Sequence, residues 1–114
     1  MSLDLFWSLP SDSLPPTFDP PLLIDSSSYT KDASAFKGTR YSTFLENEFS
    51  LTLFRKKISP EEIKTLSKKL KNFVETNEKK KHTWSVHLSN KDIIHFSRML
   101  SAYADLNASL SGWW

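Results

Sequence analysis

Five of the six prolines in this 114-residue chain fall between residues 10 and 21: Pro10, Pro15, Pro16, Pro20 and Pro21. Each ring locks φ and removes a backbone donor, so residues 8–22 are expected to be extended or polyproline-like, without helix or central strand. The polar run DSSSYTKDAS follows and reads as linker. Residues 1–39 are therefore expected to form an extended proline- and serine-rich arm ahead of a domain over residues 40–112, with residues 113–114 as an aromatic tail.

Residues 58–77 carry the clearest local signal. Ser59 suits an N-cap, Pro60 suits the first helical position, and Glu62 completes a capping box. Ile58 and Ile63 stand at the positions of a hydrophobic staple. Apolar residues recur at Ile63, Leu66, Leu70, Phe73 and Val74, the spacing of a one-sided helix running to about Asn77.

On either side of this helix the pattern points to strands. RYSTFL and FSLTLF are short runs rich in aromatic and β-branched residues, and a hairpin is expected there, with a helix across residues 42–54 as the rival. HTWSVHL alternates so that Trp84, Val86 and Leu88 share a face, as in a strand. Ser89 and Asp92 then start a second helix with the stripe Ile93, Phe96, Leu100, Tyr103 and Leu106, widened by Ile94 and Met99 and stopped at Gly112. The order (β)β–α–β–α predicts a small α+β fold, a two-layer sandwich with the arm outside it.

Composition narrows the chemistry. Cysteine is absent, which removes disulfides, thiol nucleophiles and thiolate metal sites. No apolar run reaches the roughly 18 residues of a membrane span, and the opening MSLDLFWSLP has no basic residue of the kind a secretory leader carries. An intracellular location, no membrane and no cofactor are the expectation. Glycine occurs twice, at Gly38 and Gly112, so phosphate-cradling loops and a G-x-S-x-G elbow have no place here. His82 and His87 have opposite parity on the expected strand, and His95 stands apart, so the three make no metal site. A non-catalytic protein is expected.

Two surfaces remain as candidates. The first is apolar: Leu5, Phe6, Trp7, Phe18, Leu22 and Leu23 in the arm, with Trp113 and Trp114 at the tail. Aromatic anchors of this kind dominate many protein interfaces, and a proline-stiffened segment loses little entropy on docking. They predict an adaptor subunit of a multiprotein complex held by a larger protein partner. The alternative is that these ends pack on the chain's own core.

The second surface is basic. The net charge of +2 hides a split: residues 1–54 hold three bases against seven acids, and residues 55–91 hold eleven against four. Lys64, Lys68 and Lys71 form a stripe along the helix, with Arg55, Lys56 and Lys57 before it and Lys79, Lys80 and Lys81 after it. Such an array suits a nucleic-acid backbone, RNA or DNA. It equally suits a solvated helix face, or one covered by the acidic arm.

Overall fold

The first and last strands of the chain lie side by side in the middle of its main sheet. In the computed structural model, residues 4–11, 13–19, 21–24, 28–30, 34–53, 57–77, 83–85 and 88–113 are described. The elements run β1 (Asp4–Ser8), β2 (Leu22–Ile24), β3 (Ser28–Thr30), β4 (Ala35–Lys37), α1 (Thr39–Phe49), β5 (Lys57–Ile58), α2 (Pro60–Asn77), β6 (Thr83–Ser85), β7 (Leu88–Ser89), α3 (Asn90–Asp105) and β8 (Ser109–Trp113). The main sheet is antiparallel with strand order β4-β1-β8-β5, and β2–β3 and β6–β7 form two small hairpin sheets. The class is α+β, as the sequence predicts.

Alternation along β1 decides which face is buried. Leu5 lies opposite Phe36 of β4 and Gly112 of β8, and Leu110 lies opposite Trp7 and Ile58. Leu5, Phe36, Ile58 and Leu110 are all buried. The other parity, Phe6 opposite Ala35 and Ser111, with Lys57 beyond, stays at least partly open to solvent. α2 and α3 pack along one another, with α2 against β8 and α3 against β2. Their apolar stripes meet the inner sheet face in one core.

α2 has the bounds its sequence signals predict. Ser59 Oγ accepts from the Glu62 N–H at 3.3 Å, and the Glu62 carboxylate accepts from the Ser59 N–H and hydroxyl at 3.4 and 3.1 Å. This reciprocal capping box starts the helix. Ile58 and Ile63 are both buried, as staple residues should be. In α3 the expected stripe is buried at Ile93, Phe96, Met99, Leu100 and Tyr103, while Ile94 is exposed and Leu106 lies in the turn beyond the helix.

Three expectations need correction. RYSTFL is not a strand; the rival helix forms instead, over Thr39–Phe49 rather than 42–54, with Tyr41, Phe44 and Leu45 buried and Phe49 partly so at helical spacing, while Leu51–Leu53 of FSLTLF lie in the loop after it. Packing of that face overrides the strand propensity of its aromatic residues. HTWSVHL is not one strand either, since β6 and β7 form an irregular hairpin; Val86 and His87 lie outside the described residues. Finally, α3 ends before Gly112. Asn107 turns into the left-handed region at φ 58°, the Ala108 N–H donates to the Tyr103 carbonyl, and Gly112 sits within β8.

The proline-rich segment is extended where described, without helix or strand from Ser13 to Phe18. The Ser13 N–H donates to the Pro10 carbonyl at 3.0 Å, closing a turn. The segment does not leave the core: Phe18, Leu22 and Ile24 belong to it.

Candidate functional site

α2 turns two different surfaces outward. Its buried side is Ile63, Leu66, Ser67 and Leu70, with Phe73 and Val74 partly covered. The 3.6-residue period then places Lys64, Lys68 and Lys71 along one outward flank beside this seam, with Lys69 on the other flank. All four are exposed. Between Glu62 and Glu75 the helix has no acid, so the lysines from 64 to 71 cover about two turns with no negative charge among them. None of the four ammonium groups is held by an ion pair among the described residues. Lys64 and Lys68, four apart, repel by a few tenths of a kcal/mol rather than support the helix. Lys57, exposed on edge strand β5, adds a charge just ahead of the first turn. Arg55, Lys56, Lys79, Lys80 and Lys81 lie outside the described residues.

On the flank of the same helix lies a groove. Phe49 and Leu51 at the end of α1 face Leu66 of α2, and Glu61, Glu62, Thr65 and Lys69 complete the lining of a cavity of about 290 Å³. Its aromatic wall is stiff. Phe44, Phe49 and Phe73 stand edge-to-face, with ring centres 5.4–5.8 Å apart. α1 ends here because Ser50 takes a left-handed conformation, φ 54°, with the Ser50 N–H donating to the Glu46 carbonyl and the Leu51 N–H to the Leu45 carbonyl. The helical spacing from Tyr41 to Phe49 was the signal for this groove. Reading that stretch as strand hides it.

The apolar residues singled out in the sequence separate into two groups. Leu5, Phe18 and Leu22 are closed off inside the chain's own core, Leu22 on the strand that packs against α3. Trp7 is half-buried and stacks on Tyr103 of α3, ring centres 4.4 Å apart and planes within 3°. Its indole Nε1 is buried with no hydrogen-bond partner among the described residues. Phe6 is 47% exposed on the open sheet face. Leu23 and Trp113 are placed by backbone pairing alone, opposite Tyr29 and Asp4. Trp114 lies outside the described residues.

Of the histidines, His82 and His87 lie outside the described residues. His95 on α3 has its pKa lowered, first by partial burial and then by the charges of Arg98 and Lys91, with Asp92 pulling the other way. Among the described residues no group of three or more His, Asp or Glu side chains is placed to hold a metal ion. Nor is any described helix long and apolar enough to cross a membrane. No family model, no curated protein and no solved structure matches this chain.

Proposed function

We propose that this protein is an intracellular, non-catalytic module that binds the phosphate backbone of nucleic acid along the lysine face of α2. The observation that carries this reading is the row Lys64, Lys68 and Lys71, exposed, unpaired among the described residues and with no acid between its members. Lys64 and Lys71 stand about 10 Å apart along the helix axis at ~1.5 Å per residue, close enough to meet neighbouring phosphates of one strand together. Lysine supplies point charges without the planar fork that reads base edges, so the binding is sequence-independent.

Salt titration tests it. Three phosphate contacts give a slope of log K against log salt of about −2 to −3. Replacing Lys64, Lys68 and Lys71 with Glu should abolish binding to a labelled RNA or DNA oligonucleotide while circular dichroism stays unchanged. A flat salt response, or a variant that binds as well as the parent, overturns the proposal.

A second reading is an adaptor subunit docking on a protein partner through its N-terminal segment. With Leu5, Phe18 and Leu22 buried, its support is the exposure of Phe6 and of Leu14, the latter 83% exposed beside Pro15 and Pro16. On that reading the triple lysine reversal leaves partner co-purification unchanged.

A further inference from the structure

We infer that the groove between the end of α1 and the first half of α2 receives one apolar side chain from an extended segment of a partner protein. That segment carries a basic residue two positions to one side of the anchor and an acidic residue two positions to the other. This surface is separate from the lysine row, and its use does not depend on the nucleic-acid reading.

Size decides the kind of occupant. The cavity of about 290 Å³ lies at the bottom of the range of small-molecule pockets, roughly 300–1,000 Å³. One leucine- or phenylalanine-sized side chain suits it better than a cofactor. The apolar floor of Phe49, Leu51 and Leu66, stiffened by the edge-to-face contacts of Phe49 with Phe44 and Phe73, is the kind of pocket that buried anchors fill.

Charge sets the flanks. Glu61, Thr65 and Lys69 stand at i, i+4 and i+8 along one edge of α2, so one lip ends in a carboxylate and the other in an ammonium group. Glu62 is committed to the capping box with Ser59, which leaves Glu61 as the acidic lip. Eight residues of helix separate the two charges by about 12 Å along the axis. An extended chain covers that distance in about four residues at ~3.3 Å each, and alternate residues share a face. A basic residue, an apolar anchor and an acidic residue at positions 0, 2 and 4 therefore reach Glu61, the groove and Lys69 together. Either chain direction satisfies this pattern, because a reversed segment presents the same three groups.

The test uses the full ¹⁵N-labelled chain and the blocked peptide acetyl-Arg-Ser-Phe-Ser-Glu-amide at millimolar concentration and low salt. Amide shifts are expected to group at Leu51, Thr65, Leu66 and Lys69. Alanine in place of the peptide phenylalanine should weaken binding about tenfold or more. Glu61→Lys should weaken it two- to fivefold, the worth of an exposed ion pair. That variant should then prefer acetyl-Glu-Ser-Phe-Ser-Glu-amide, which restores the complementary charge. Thr65→Trp, at an exposed position, should plug the groove and remove the shifts without unfolding the chain. Absence of shifts, shifts gathered elsewhere, an alanine peptide that binds equally, or no change of preference in Glu61→Lys each overturn the inference.

Discussion

Leu5 and Phe6 are neighbours in sequence, yet one has no exposed surface and the other is nearly half exposed. The two-residue period of β1 is the whole reason, since alternate side chains leave opposite faces of the strand. The difference gives a sharp test. Leu5→Ala should cost about 2–5 kcal/mol, the range for a core leucine whose cavity cannot fully collapse. Phe6→Ala should cost less than about 1 kcal/mol, as surface changes do. Urea denaturation of the two variants measures both; equal and small effects would mean that β1 is not part of the core. Trp7 shows the same strand accepting a compromise. Its indole N–H, buried without a partner among the described residues, carries a desolvation cost of about 1–3 kcal/mol, and stacking on Tyr103, worth about 0.5–1.5 kcal/mol beyond the area it buries, offsets part of that.

At the scale of elements, α1 and α2 contrast in how they are specified. α2 carries its own instructions: a capping box, proline at the first position, acids in the first turn and a clean apolar stripe. α1 has no side-chain cap at Gly38 and no charges placed to favour its ends. Its helical state rests on the burial of Tyr41, Phe44 and Leu45 against the rest of the core. Its C-terminal cap is also suboptimal, because Ser50 holds a left-handed φ of 54° that costs a residue with a Cβ roughly 1–2 kcal/mol. Ser50→Gly should therefore stabilise the protein by about 1 kcal/mol and raise Tm by about 4–8 °C in a thermal melt. An unchanged or lower Tm would show that the serine side chain supports the cap.

At the scale of the whole molecule, β8 is the strand that joins the rest. It pairs with β1 on one side and β5 on the other, and α2 packs on it. Deleting residues 109–114 should therefore abolish cooperative unfolding and near-ultraviolet dichroism rather than trim a dispensable tail. A truncated chain that still melts in one sharp transition would show that β8 is dispensable to the core. The same architecture explains why both candidate surfaces gather on α2. With the inner sheet face covered, α2 places a continuous positive row and an apolar groove outward on one rigid rod.

Local chemistry was enough to specify some of this. Ser59, Pro60 and Glu62 mark the start of α2, five prolines keep residues 8–22 from becoming a helix, and the stripe of α3 and the α+β class follow from periodicity. The lysine row was legible too, because a helix whose inner side is known has its outer side determined. The groove was not, because it needs α1 to be a helix and Phe49 to stand beside Leu66. Nor was the pairing of β1 with β8, strands about a hundred residues apart in sequence. Capping and periodicity act within a few residues, whereas the choice of a strand's partner, and of helix over strand for RYSTFL, depends on apolar surface supplied by distant parts of the chain. Only the assembled core settles whether a residue such as Leu5 meets a partner or its own interior.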